Sequence, residues 1–177
     1  MIPWQDKPMG LVKGVVRRGV FVALALSLQL LEGLLPVPLP IPGFKLGLAN
    51  LVSVYLLLAA DWRMAAWVVG GRVLLASLFG GTMLGPAFWL STAGAAVSLI
   101  GMNLALRCLS VEITVIGVSL IGAILHNLAQ LVTASFLMQT TGVFALWPWL
   151  IFFALPTGFV TGWSARALWN RTQWMWT

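Results

Sequence analysis

Apolar runs close to bilayer length, divided by short clusters of charge, proline or glycine, make up nearly all of this chain. A hydrocarbon core of about 30 Å takes about 20 apolar residues per helix. On that measure the breaks leave about six segments: Gly14–Leu35, Leu46–Ala60, Met64–Phe79, Pro86–Leu106, Ile113–Met138 and Val143–Leu168. The second and third are short and share one stretch, Leu46 to Leu84, interrupted only by Asp61, Trp62 and Arg63. They read as a tight helical hairpin rather than one long helix. The pattern predicts a single all-α domain over residues 1–177, an integral membrane bundle of about six transmembrane helices.

The fifth segment breaks its own apolar pattern. Ser119, Gly122, His126, Gln130 and Thr133 recur at spacings of three and four, so they fall on one helix face, with Asn127 beside it. A polar group in hydrocarbon without a partner costs several kcal/mol, by order of magnitude. The stripe therefore faces protein or a cavity, either as an interhelical contact or as a ligand site.

Composition agrees: 60% of residues are hydrophobic and 8% charged, and the mean hydropathy is +0.99, outside what a soluble surface allows. The net charge of +6 comes from ten basic and four acidic residues. Its placement at helix ends points to membrane topology, not nucleic acid. With the segments alternating in direction, Lys7, Lys13, Arg17, Arg18, Arg63, Arg107, Arg166 and Arg171 share one side and Lys45 stands on the other. The crowded side is expected to be cytoplasmic, with both termini inside. Trp4, Trp62, Trp163, Trp169, Trp174 and Trp176 fall near the inner ends, and Trp89, Trp147 and Trp149 near the outer ends, as interfacial anchors do. The run Gly19–Leu35 follows basic residues but leads into PVPLPIP without a small-residue cleavage site, so it reads as a retained first helix rather than a signal peptide.

Further candidates lie toward the expected outer half. The proline-rich stretch Pro36–Gly43 is stiff and extended, a lid over a cavity or a plain connector. Lys45 and Asn50 follow it at the outer end of the second helix, where Lys45 either snorkels to headgroups or faces the site. Arg72 lies near the centre of the third helix beside Gly70 and Gly71, which would let another backbone approach. Its charge calls for an anion, either Glu32 of the first helix or a substrate. If Lys45, Asn50, Arg72, His126, Asn127 and Gln130 converge, they build a donor-rich site for an anionic small molecule. Two small-residue series are separate from that site: Gly19, Ala23 and Ser27 in the first helix, and Thr157, Gly158, Thr161, Gly162 and Ala165 in the sixth. Each is an internal packing face or a docking face for another membrane subunit.

Catalytic chemistry is poorly provided for. Two aspartates and two glutamates, none paired, supply no acidic magnesium motif of the kind prenyl-diphosphate chemistry uses. No nucleotide-binding glycine loop occurs. One histidine and one cysteine, Cys108, offer no metal-ligand spacing and no internal disulfide. The chain is expected not to be an enzyme and to carry no metal or cofactor.

Four stretches carry a resemblance: PIPGFKLGLANLV (Pro40 to Val52), GRVLLASLFGGT (Gly71 to Thr82), FWLSTAGAAVSLIGM (Phe88 to Met102) and IGVSLIGAILHNLAQL (Ile116 to Leu131). In this order they resemble the bacterial Gx transporter family, also called heptaprenyl diphosphate synthase component I. That family looks like the S components of energy-coupling factor (ECF) transporters. The resemblance implies an N-in six-helix bundle in the bacterial plasma membrane that captures a small anionic, prenyl- or flavin-related molecule from outside. It implies as partners a transmembrane coupling subunit and ATPase subunits, with Gly19, Ala23 and Ser27 as the docking face, although glycine and serine stand here where the family's series has alanine. Two other roles fit the same residues: a non-catalytic membrane subunit of an isoprenoid- or quinone-related enzyme complex, and a stand-alone carrier in which His126 moves a proton.

Overall fold

The computed structural model describes residues 10–34, 48–108 and 113–176. Six α-helices follow one another: α1 Leu11–Leu34, α2 Leu48–Ala59, α3 Trp62–Phe79, α4 Pro86–Cys108, α5 Val115–Met138 and α6 Trp147–Thr172. Short 3₁₀ turns at Gly142–Leu146 and Gln173–Met175 flank α6. No strand occurs among the described residues.

Each boundary has a local cause. Asp61 is extended (φ −146°, ψ 169°), and its carboxylate accepts a hydrogen bond from the Met64 amide at 2.7 Å, which starts α3 afresh instead of letting α2 continue. The Asp61 to Arg63 interruption is thus the cap of a helical hairpin. Thr114 caps α5 through the Gly117 amide at 3.1 Å, and Gln139, in the left-handed region at φ 51°, ends it. Pro86 opens α4, where its missing N–H costs nothing.

Five stretches, within α1, α3, α4, α5 and the run from Gly142 to Met175, are long and apolar enough to cross a membrane. The described part of α2 is not, so five of the six helices are candidate spans among the described residues. Its 12 residues rise about 18 Å, well short of the hydrocarbon thickness. This helix touches each of the other five, and Val52, Val54 and Leu56 are almost wholly buried. Enclosed by protein, α2 has no lipid thickness to match.

Between helices in lipid, close packing replaces the hydrophobic effect as the main attraction, so small residues decide where backbones meet. Gly158 and Gly162 seat α6 on α5: a β-carbon at Gly162 would stand 2.8 Å from the Ile116 Cα and the Ser119 Cβ. This small-residue series of α6 is therefore an internal packing face. Gly71 does the same for Val22 of α1, whereas a β-carbon at Gly70 would meet nothing within 4 Å, so Gly70 brings no backbone close.

Antiparallel alternation gathers Arg17, Arg18, Arg63, Arg107, Arg166 and Arg171 at one end of the bundle, hereafter the basic end. There the chain's C-terminal turn folds back. The Tyr55 hydroxyl of α2 lies 2.8 Å from the Thr172 hydroxyl and accepts a hydrogen bond from the Trp176 indole at 2.9 Å. Phe21 packs on both rings, and the Arg17 guanidinium lies over the Trp176 ring. This cluster ties α1, α2 and α6 together.

Gly162→Ala is expected to destabilise the bundle by about 1–3 kcal/mol through overpacking against backbone. Gly19→Ala, whose β-carbon meets open space, should be neutral or stabilising by up to about 1 kcal/mol. Thermal unfolding of the two variants in one detergent checks the contrast.

Candidate functional site

The polar stripe of α5 faces inward onto a cavity to which all six helices contribute. Ser119, Gly122, His126, Asn127 and Gln130 line it from α5, Gln29 from α1, Asn50 from α2 and Arg72 from α3. Ser91 and Met102 close it from α4, and Thr157, Gly158 and Thr161 from α6. The spacing of three and four along α5 places its polar groups here, while Thr133, the next in the series, bonds its own helix at the Ala129 carbonyl, 2.8 Å away.

Glycines let these side chains come together. A β-carbon at Gly94 of α4 would stand 2.8 Å from His126 Cε1 and 3.0 Å from Gln130 Cγ, so the α4 backbone rests against the imidazole. At Gly122 a β-carbon would meet the Met102 sulfur at 2.5 Å. Larger residues at these two positions would fill the space that His126 and Met102 occupy.

Arg72 is buried and donates from Nη1 to the Gln29 side-chain oxygen at 3.1 Å. The first helix thus answers the guanidinium with an amide. The pairing expected with Glu32 falls on a side chain outside the described residues, as do Lys45 and the Pro36–Gly43 stretch. Asn50 stands in the first turn of α2 on the cavity wall. Asn127 donates to the Leu150 carbonyl at 3.1 Å, which holds α5 to the start of α6. Ser119 and Thr161 share a buried hydrogen bond of 2.8 Å across the same two helices.

Of the six proposed site residues, Asn50, Arg72, His126, Asn127 and Gln130 therefore line one cavity. Sequence reasoning missed Gln29, Ser91, Thr157 and Thr161, and it set the small-residue series of α6 away from the site, which the lining corrects. The signal at Gln29 was available, since an amide within the apolar run Val20–Leu31 obeys the rule already applied to α5. Gly19, Ala23 and Ser27 are exposed on α1, outside this cavity.

The described lining carries one guanidinium, one imidazole, amides and hydroxyls, and no carboxylate. Such a wall suits an anion or a strong hydrogen-bond acceptor. The free volume is about 60 Å³, room for a few waters and far below the roughly 300–1,000 Å³ of sites for organic ligands. A flavin- or prenyl-sized molecule does not fit this arrangement without separation of the helices.

These features define a multi-pass helical membrane protein with a polar chamber inside the bundle. The model of the heptaprenyl diphosphate synthase component I family matches residues 21–168, and the chain belongs to that family. No curated protein and no solved structure matches it.

Gln29→Leu and Arg72→Met should be non-additive in stability, with a coupling of about 1–3 kcal/mol, as for a hydrogen bond to a charged group. A double-mutant cycle from thermal or denaturant unfolding in detergent checks this.

Proposed function

We propose that this chain is the substrate-binding membrane subunit, like an S component, of an energy-coupling factor type importer, and that it captures a small anionic molecule from the outer face. One observation carries the proposal: all six helices supply lining to a single chamber whose described polar groups are a guanidinium, an imidazole, amides and hydroxyls with no carboxylate, with Arg72 buried at its wall. Convergence of polar side chains from all six helices on one void exceeds what pairwise packing needs and suits a ligand site. Arg72 and Asn50 would bind the anionic part, and His126 and Gln130 would orient it.

Binding without a matched energy source requires help. The exposed series Gly19, Ala23 and Ser27 on α1 would seat a transmembrane coupling subunit, whose ATPase subunits would drive release into a bacterial cell through its plasma membrane. The basic end would then face the cytoplasm. The chain itself would be no enzyme.

The family's description favours a second reading, a non-catalytic membrane component of a heptaprenyl diphosphate synthase complex. Loss of prenyltransferase activity on deleting this chain, restored by adding it back, would support that role.

Mass spectrometry of small molecules released from gently purified protein should show an anion held by the wild type. Arg72→Met should retain it roughly 10–100-fold less well, the factor for a lost charge-assisted hydrogen bond, with an unfolding transition still present. Equal retention by both proteins would sink the assignment. Ala23→Leu should abolish co-purification with a coupling subunit and leave ligand retention unchanged.

A further inference from the structure

Two grooves flank the outward face of α3, and their shape and charge do not belong to the polar chamber. One, of about 750 Å³, lies between α3 and α4 and is almost entirely apolar until it reaches Asn103 and Arg107 at the basic end. The other, of about 450 Å³, lies on the opposite flank of α3 and ends at Arg63. Both are walled by Trp62, Ala66, Gly70 and Leu74. These four residues, spaced by four, form one ridge, and Ala66 and Gly70 keep it low.

From this geometry we infer that α3 carries a binding site for one anionic phospholipid, its two chains straddling the ridge and its headgroup held between Arg63 and Arg107. Length fits a single leaflet. From Trp62 to Leu74 α3 rises about 18 Å, close to half of the roughly 30 Å hydrocarbon core. Charge fits the headgroup. Arg107 is steadied by Nε donating to the Asn103 side-chain oxygen at 3.2 Å, and Arg18 lies over the Trp67 ring at 5.9 Å on the Arg63 side. The one described carboxylate nearby, Asp61, is engaged in capping α3. Trp62, between the two arginines, is half-exposed where an interfacial aromatic belongs. The site does not depend on what the polar chamber binds.

Native mass spectrometry of the full chain, delipidated in detergent and titrated with phosphatidylglycerol or phosphatidylcholine of identical chains, tests the site. The wild type should prefer phosphatidylglycerol. Replacing both arginines (R63Q with R107Q) should weaken phosphatidylglycerol binding roughly 30-fold, at about fivefold per arginine near the membrane surface, without affecting phosphatidylcholine. R63K with R107K should keep the preference. Gly70→Leu, which adds a side chain where a β-carbon meets nothing within 4 Å, should raise the ridge and weaken both lipids alike. Equal affinity of the wild type for the two lipids would overturn the site, as a face reserved for a protein partner would show. So would a preference that survives R63Q with R107Q, or binding that Gly70→Leu leaves unchanged.

Discussion

Hydrocarbon offers no hydrogen bonds, and that constraint organises this molecule. Arg72, Gln29, His126, Asn127, Gln130, Ser119 and Thr161 lie on helices that otherwise read as lipid-soluble, so each must turn toward another helix. Ser119 with Thr161, Asn127 with the Leu150 carbonyl, and Arg72 with Gln29 show how three of these demands are met between helices. Gly158 and Gly162 permit the approach of α6 to α5 that the first two bonds use, Gly71 faces Val22 where α3 meets α1, and Gly94 and Gly122 bring α4 onto α5. Chamber and packing are one solution to one problem.

The helices are not equally enclosed. Helices α4, α5 and α6 are zipped by glycines against side chains and backbone, and α3 has 39% of its span window buried, whereas only 6% of the α1 window is buried. Gln29 of α1, the least buried span, reaches the chamber and bonds Arg72 of the well-buried α3, across from the α5 stripe. A chamber of about 60 Å³ can grow only by parting helices, and α1, the span with the smallest buried share, parts at least cost. The interior proline of α6, Pro156, adjoins the lining residue Thr157 and removes one backbone hydrogen bond from that helix.

Much of this was legible in the sequence. Apolar run length alone located all six helices to within a few residues of their ends, because bilayer thickness imposes run length directly. The α5 stripe was legible for the same reason, since any polar cluster in such a run must face inward. Length could not reveal that α2 is enclosed by the five other helices, which is a property of the whole bundle and not of its own residues. Nor could spacing show that Gly71 packs on Val22 while Gly70 faces open space: adjacent glycines look alike in a sequence and point about 100° apart on a helix. Arg72 was matched only to a carboxylate or a substrate because charge calls for charge, and the amide of Gln29, which also accepts from it, was overlooked.

A structure of the chain determined experimentally in lipid nanodiscs, without added ligand and after gentle extraction, tests the account most directly. It should show density for a small anion inside the bundle, within hydrogen-bonding distance of Arg72 and bordered by Asn50, His126 and Gln130. Those four side chains packed against separate neighbours, with no void between them, would contradict the account.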